Sequence, residues 1–221
     1  MAKRAYSKAD AVYGELKEAI LSGALEPGRP IDKTGLCERL AVSRFPVSAA
    51  VSRLAYDRLV DVAPQHGSFV SLISLSDVRE RLFIRSALES EIAAEAARRM
   101  TRADKDALVA NLKDETAAVE AEDRATFYTL DVRFHQILTT QLGMGRANDV
   151  LEALRIHLER VRRLLMSPRR LRSTLSEHAA IVDAIEARDP PAAHAAMKRH
   201  LSSTSAILET FVKERPGLFT P

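Results

Sequence analysis

A single cysteine, Cys37, is all the thiol chemistry in 221 residues, which excludes an intrachain disulfide and a thiolate metal cluster. It falls inside a predicted helix, where packing is its ordinary role. Long apolar runs are missing as well. No stretch approaches the length that spans a bilayer, and Met1-Ala2-Lys3-Arg4 leads into no apolar signal core, so the expectation is a cytoplasmic protein with no membrane partner. Charge of one sign is also lacking: 33 Lys+Arg against 30 Asp+Glu leave a net +3, too little to announce nucleic acid by itself. A nucleic-acid function has to be argued from where the charges lie. After residue 72 no strand signal of any strength appears, nor any convincing internal repeat. What remains is 46% hydrophobic and 29% charged, an ordinary globular balance in a length that suits two compact domains or one large one.

The most informative stretch runs from Leu36 to Leu54. Leu36 and Leu40 lie one turn apart, and Val47, Val51 and Leu54 repeat at three- and four-residue spacing, which predicts two helices, each with one buried stripe. Ser43 is placed to cap the second helix, and Pro46 is tolerated because first-turn donors have no intrahelical partner. The free face carries Ser43, Arg44, Ser48 and Ser52, with Arg39, Arg53 and Arg58 around it and only Asp57 opposing them. Arginine forks onto guanine or phosphate, and short hydroxyls let a helix lie close in a major groove. Two packed surface helices with solvated arginines fit this spacing equally well.

The flanks separate these readings. Ala11 to Ile20 is an amphipathic helix ending at Ser22-Gly23, while Leu59 to Ala63 and Ser68 to Ser71 alternate in strand fashion around Pro64-Gln65-His66-Gly67. Three helices and a hairpin are the winged-helix order, with Gly67 permitting close backbone approach at the tip and His66 able to donate there. Ile20-Leu21-Ser22-Gly23 through Pro27-Gly28, then Leu40-Ala41-Val42-Ser43-Arg44-x-Pro46-Val47, Leu59-Val60 and Gly67-x-Phe69-Val70, resemble the GntR family of bacterial transcription regulators over roughly the first seventy residues. The resemblance implies DNA contacts at Thr34, Ser43, Arg44, Phe45, Ser48, His66 and Gly67. The family commonly has Arg at the position of Ser48 and a small residue at that of Arg58, so operator sequence does not carry over.

Residues 1 to 6 are polar and expected to be loose, with the winged helix over roughly 7 to 72. Beyond it everything reads as helix: one from a cap at Ser76 or Asp77 to about Met100, then about 103 to 121, 123 to 142, 145 to 166, 171 to 188 and 190 to 214. The expected fold is mainly α: a DNA-binding domain over 1–72, and an antiparallel all-helical bundle of about six helices over 73–221 that binds effector and dimerises.

Asp131 and His135, four apart, share a helix face, and the spacing of His178 and His200, 22 positions apart, lets two adjacent helices bring them to one level. Three imidazoles and a carboxylate suit Zn²⁺, Ni²⁺, Mn²⁺ or Fe²⁺ with one or two positions open; separately, each histidine also fits a core residue bonded to a neighbour. Asp131-x-x-Phe134-His135, Glu177-His178-x-x-Ile181, the break at Asp189 to Ala193 and Met197-x-x-His200-Leu201 resemble the effector domain of FadR-type GntR regulators, the FCD domain, over about 76 to 214. That resemblance implies a divalent metal on Asp131, His135, His178 and His200, and a pocket-facing arginine at Arg85, within Arg85-x-x-Leu88-Glu89. Arg133 and Arg155 are weaker candidates to clamp an acid, and His157 and His194 are assigned to surface or packing.

The function these residues imply is a homodimeric regulator, a repressor by default, that binds a palindromic double-stranded operator and responds to a small carboxylate at the metal site. Two alternatives stay open: the metal itself is the signal, or the cluster is a metal-dependent hydrolase or lyase. An enzyme needs a positioned general base, and Glu177, next to His178, is expected to face away.

Overall fold

The computed structural model describes residues 7–165 and 167–221. The expectation for residues 1 to 6 and the end of the helix expected to close at residue 166 lie outside them. The chain divides into two compact units, one running to Leu75 and including Arg215–Pro221, the other Ser76–Glu214.

In the first unit, α1 (Lys8–Leu21) starts at a reciprocal cap between Ser7 and Asp10, and α2 (Lys33–Arg39) starts at Asp32, whose side chain accepts from the Gly35 N–H. α3 (Arg44–Tyr56) begins after Ser43, but the Ser43 side chain makes no capping bond, contrary to expectation. The helix instead gains its start from Pro46 in the first turn and from burial of Val47, Val51 and Leu54 at 0–2% exposure, with α3 packed on α1, whose Val12, Leu16 and Ile20 are likewise buried. Strands β1 (Val60–Ala63) and β2 (Gly67–Val70) form an antiparallel hairpin in register Val60↔Val70 and Ala63↔Gly67. Its turn holds Gln65 at φ 64° and Gly67 at φ 114°; the second value is one that a side chain rarely tolerates.

The sequence pattern gave no sign of two further strands, β3 (Ile73–Ser74) and β4 (Phe219–Thr220). They pair in parallel, with Leu218 and Phe219 buried, so the last seven residues pack with the first unit. An Arg215–Glu26 ion pair of 2.9 Å holds the same return.

Among the described residues the second unit is a bundle of six helices: α4 (Leu75–Arg99), α5 (Arg102–Glu120), α6 (Arg124–Gln141), α7 (Gly145–Leu165), α8 (Pro168–Glu186) and α9 (Pro190–Glu214). α4 begins at Leu75, ahead of both expected caps, which leaves Asp77 inside the first turn where its charge favours the helix dipole. The core joins Ile92, Met100, Leu108, Phe134, Ile181, Ile185 and Met197. Ala93, Ala96 and Ala97, all at 0% exposure, let α4 approach its neighbours closely. No helix among the described residues is long and apolar enough to cross a membrane.

Candidate metal centre

Within this bundle α6 presents Asp131 and His135 from adjacent turns, α8 presents His178 and α9 presents His200. One ligand atom from each lies within 4.8 Å of all the others. An ion about 2.1 Å from each ligand separates opposed ligands by about 4.2 Å, so closing on one ion takes only sub-ångström shifts. All four side chains are buried, and the Phe134 ring stacks on that of His178 at 4.0 Å and 6°.

A carboxylate stands behind each imidazole. His178 Nδ1 lies 2.8 Å from Glu115 Oε2, His200 Nδ1 lies 2.8 Å from Glu177 Oε2, and His135 Nδ1 lies 2.5 Å from Glu89 Oε2. A proton held at Nδ1 by a carboxylate leaves the Nε2 lone pair for a metal, and makes that nitrogen more basic. Both ring nitrogens of His135 and Nε2 of His178 are buried without a hydrogen-bond partner, the approach of Glu89 to His135 Nδ1 being an ion-pair contact, and His178 Nε2 lies 3.8 Å from Asp131 Oδ1. Buried lone pairs without partners cost free energy that a shared cation recovers, so the donor set fits a divalent metal.

Electrostatics keep this set ready to ligate. Burial lowers the pKa of His200 to about 3 and also lowers that of His135, in each case against the pull of its carboxylate, so both rings are neutral donors at neutral pH. Burial alone would raise Glu89 and Asp131, but Arg85 beside the first and Arg162 beside the second hold both carboxyls well below the usual range. Glu177, also pushed up by burial, is brought down to about 2 by hydrogen bonds from His200 and Arg170.

Glu177 thus does not face away from the cluster as expected: it reaches across to α9 and orients His200. Nor did the spacing of the ligands point to Glu115 or to Arg162, which binds Asp131 Oδ2. The one sequence signal for Glu115 is that Leu108, Asn111, Glu115 and Ala118 form a buried stripe in which two members are polar.

Beside His135 the bundle opens into a cleft of about 360 Å³, counted out to its mouth and walled by Arg85, Gln136, Asn148, Glu152, Arg155 and Arg162. Arg85 is buried, with its Nε 2.5 Å from Glu89 Oε1. Arg155 pairs with Glu152, whereas Arg133 is exposed and off the cleft wall. His194 is a surface residue 3.3 Å from Glu91, and His157 is half-buried on α7.

In the first unit Thr34, Ser43, Arg44, Phe45, Ser48, His66 and Gly67 are all exposed, Phe45 at 80%. Of the arginines around them, Arg39 and Arg53 are ion-paired to Glu15 and Asp10 of α1, and Arg53 also lies over the Tyr13 ring at 3.8 Å. Arg44 and Arg58 are exposed and, among the described residues, unpaired. The face therefore keeps Arg44 free while Arg53 braces the helix that bears it.

Comparison with known proteins covers both units. Residues 8–70 match the gntR family of bacterial regulatory proteins, and residues 80–203 match the FCD domain. The chain is 33% identical over 212 residues to the HTH-type transcriptional repressor RspR of Escherichia coli (strain K12), covering 95% of this chain and 92% of that one. It is 27% identical over 230 residues to the Galactonate operon transcriptional repressor of the same organism, covering 92% and 98%. Among solved structures, a transcriptional regulator GntR from Rhodococcus sp. RHA1 superposes with a TM-score of 0.72 at 25% identity, over 91% of this chain and 98% of that one. E. coli McbR/YncC shares the fold with a TM-score of 0.71 at 24% identity, over 92% and 98%.

Proposed function

The chain belongs to the GntR family of bacterial regulatory proteins, with an FCD domain after its DNA-binding head, and from that premise we propose that it is a repressor released by a small carboxylate at a resident divalent metal. It is a DNA-binding regulator and not an enzyme. The observation that carries the proposal is the set of Asp131, His135, His178 and His200, buried, backed by carboxylates and opening onto an arginine-walled cleft. When bound, the metal supplies a Lewis-acidic position for a carboxylate oxygen. Asp131 and the three imidazoles hold the ion, Glu89, Glu115 and Glu177 orient the rings, and Arg85 clamps the second oxygen of the acid.

The DNA-binding domain, residues 1–72, contacts the operator through Thr34, Ser43, Arg44, Phe45, Ser48, His66 and Gly67, and residues 73–221, apart from the last seven that pack with the first unit, form the effector and dimerisation domain. Two heads on a two-fold axis read a palindrome, which supplies specificity that one small head lacks. Exposure of all seven residues and the unpaired state of Arg44 among the described residues support this assignment. Repression agrees with two relatives whose names state that role.

A second reading makes the metal itself the signal. It is favoured by the bond from Arg162 of α7 to Asp131 Oδ2, because a cation sharing the same carboxylate through Oδ1 would weaken that bond and so couple occupancy to α7. Operator binding measured by fluorescence anisotropy separates the two. The effector reading expects small acids to release DNA from metal-loaded protein while chelation alone leaves operator affinity largely unchanged; the reverse pattern supports metal sensing. In the same assay Arg44→Ala should lose specific binding with metal content intact, and retained specificity would remove the recognition-helix assignment.

A further inference from the structure

From the contacts behind His200 we infer that Arg170 is a positioning residue for the metal centre: it holds Glu177 against His200 and so fixes the ring that α9 offers to the ion. The inference rests on the resident-metal reading above and deepens it.

Each carboxylate behind a ligand ring has a holder of its own. Glu115 accepts from the Asn111 amide at 2.9 Å, Glu89 accepts from Arg85 at 2.5 Å, and Glu177 accepts from Arg170. The three differ in their reach to water: the side chains of Glu115 and Glu89 are 0% and 3% exposed, that of Glu177 is 23% exposed. A carboxylate walled in by a close-packed core has nowhere else to turn. One that touches solvent exchanges its bond to an imidazole for bonds to water at small net cost, so its holder decides where it points. Of the three holders, Arg170 is therefore the one on which the orientation of a ligand ring depends most.

The helix pair sets the geometry. Arg170 and Glu177 are two turns apart on one face of α8, and His200 and Thr204 are one turn apart on α9, which packs against it. Arg170 Nη1 donates to Glu177 Oε1 at 2.9 Å and Nη2 donates to Oε2 at 3.2 Å, a planar fork on both oxygens, while Nη2 also reaches Thr204 Oγ1 at 3.4 Å. The fork leaves Glu177 Oε2 in one place, 2.8 Å from His200 Nδ1. With that oxygen fixed the ring proton stays on Nδ1, and Nε2 keeps the lone pair that ligation needs. A lysine at the same position brings a point charge on a flexible stem, which does not span two oxygens. The Arg170 side chain is itself only 13% exposed, so its own freedom to swing away is small.

The test is the zinc affinity of the full-length protein, measured by competition with a chromogenic chelator across a double-mutant cycle of Arg170→Gln and Glu177→Ala. A carboxylate behind a ligating histidine is worth about 10- to 100-fold in metal affinity, so its holder, one bond further out, should be worth about three- to tenfold. In the Glu177→Ala background Arg170→Gln should cost no more than about twofold, because the two side chains act as one unit. Arg170→Lys should fall with Arg170→Gln, and it carries the same cycle if the glutamine variant does not fold. In the cobalt-loaded protein Arg170→Gln and Glu177→Ala should shift the visible absorption in the same direction as His200 loosens, whereas a packing defect elsewhere leaves the ligand field as in the parent. Parental zinc affinity in Arg170→Gln, an equal loss with and without Glu177, or full rescue by lysine overturns the assignment and leaves the metal reading standing. If the parent chain itself takes up no zinc, the resident-metal reading falls, and the role of Arg170 with it.

Discussion

At the scale of single residues, the site is three buried imidazoles and a carboxylate held in place by charged neighbours. Glu115 is the sharpest case, because it is fully buried, binds His178 Nδ1 and is itself steadied by the Asn111 amide at 2.9 Å. Glu115→Ala should lower metal affinity by about 10- to 100-fold, the usual effect of removing a carboxylate behind a ligating histidine, while Glu115→Gln, which keeps an acceptor, should lose less. Competition titration against a chromogenic chelator reads both. Tyr13, in the first unit, offers a separate pH test. Burial, helped by its 2.6 Å hydrogen bond to Asp57, raises its pKa from 10.0 to about 12. The fold thus favours the neutral phenol. Its contribution is intact below pH 10, where the unfolded chain also holds the proton, and is lost as pH rises from 10 toward 12. Denaturation midpoints of Tyr13→Phe and the parent should therefore differ below pH 10 and converge by about 12.

At the scale of elements, what could be read in the chain was what repeats within one helix. Asp131 and His135 are four apart, and three of the five breaks between the bundle's helices have Gly or Pro in or beside them, so the bundle and the clustering of these four side chains were legible in periodicity together with family resemblance. The partners of those ligands were not. Glu115 meets His178 across 63 residues and Arg162 meets Asp131 across 31, and a polar residue in an apolar stripe does not say which helix it faces. The β3–β4 pair was hidden for another reason: two-residue strands have no period to detect. Yet Phe219, 9% exposed, and Leu218, 7% exposed, tie that pair into the first unit. Phe219→Ala should cost about 1.5–3 kcal/mol of that unit's stability, the value of burying a large apolar side chain, and urea denaturation followed by hydrogen exchange at α1 and α3 should show the loss there with metal affinity unchanged.

At the scale of the whole molecule, the functional proposal is a statement about coupling, and coupling is reciprocal. If an acid at the metal centre weakens operator binding by some factor, thermodynamic linkage requires that operator DNA weaken acid binding by the same factor. Regulators typically work with about 1–3 kcal/mol of coupling, or roughly 5- to 150-fold. Two heads on one operator would also make affinity steeply salt-dependent, because each phosphate contact releases condensed counterions. The two effects separate cleanly: salt should shift DNA affinity with little effect on acid binding to free protein, whereas acid and operator should shift each other equally at any fixed salt. Acid titrations of the metal-loaded chain, with and without saturating operator, measure one factor, and anisotropy with and without saturating acid measures the other. Equal factors above about fivefold support an effector acting through two head arrangements. An acid that binds with the same affinity whether or not operator is present is a passenger, and the switch must then be sought in the metal.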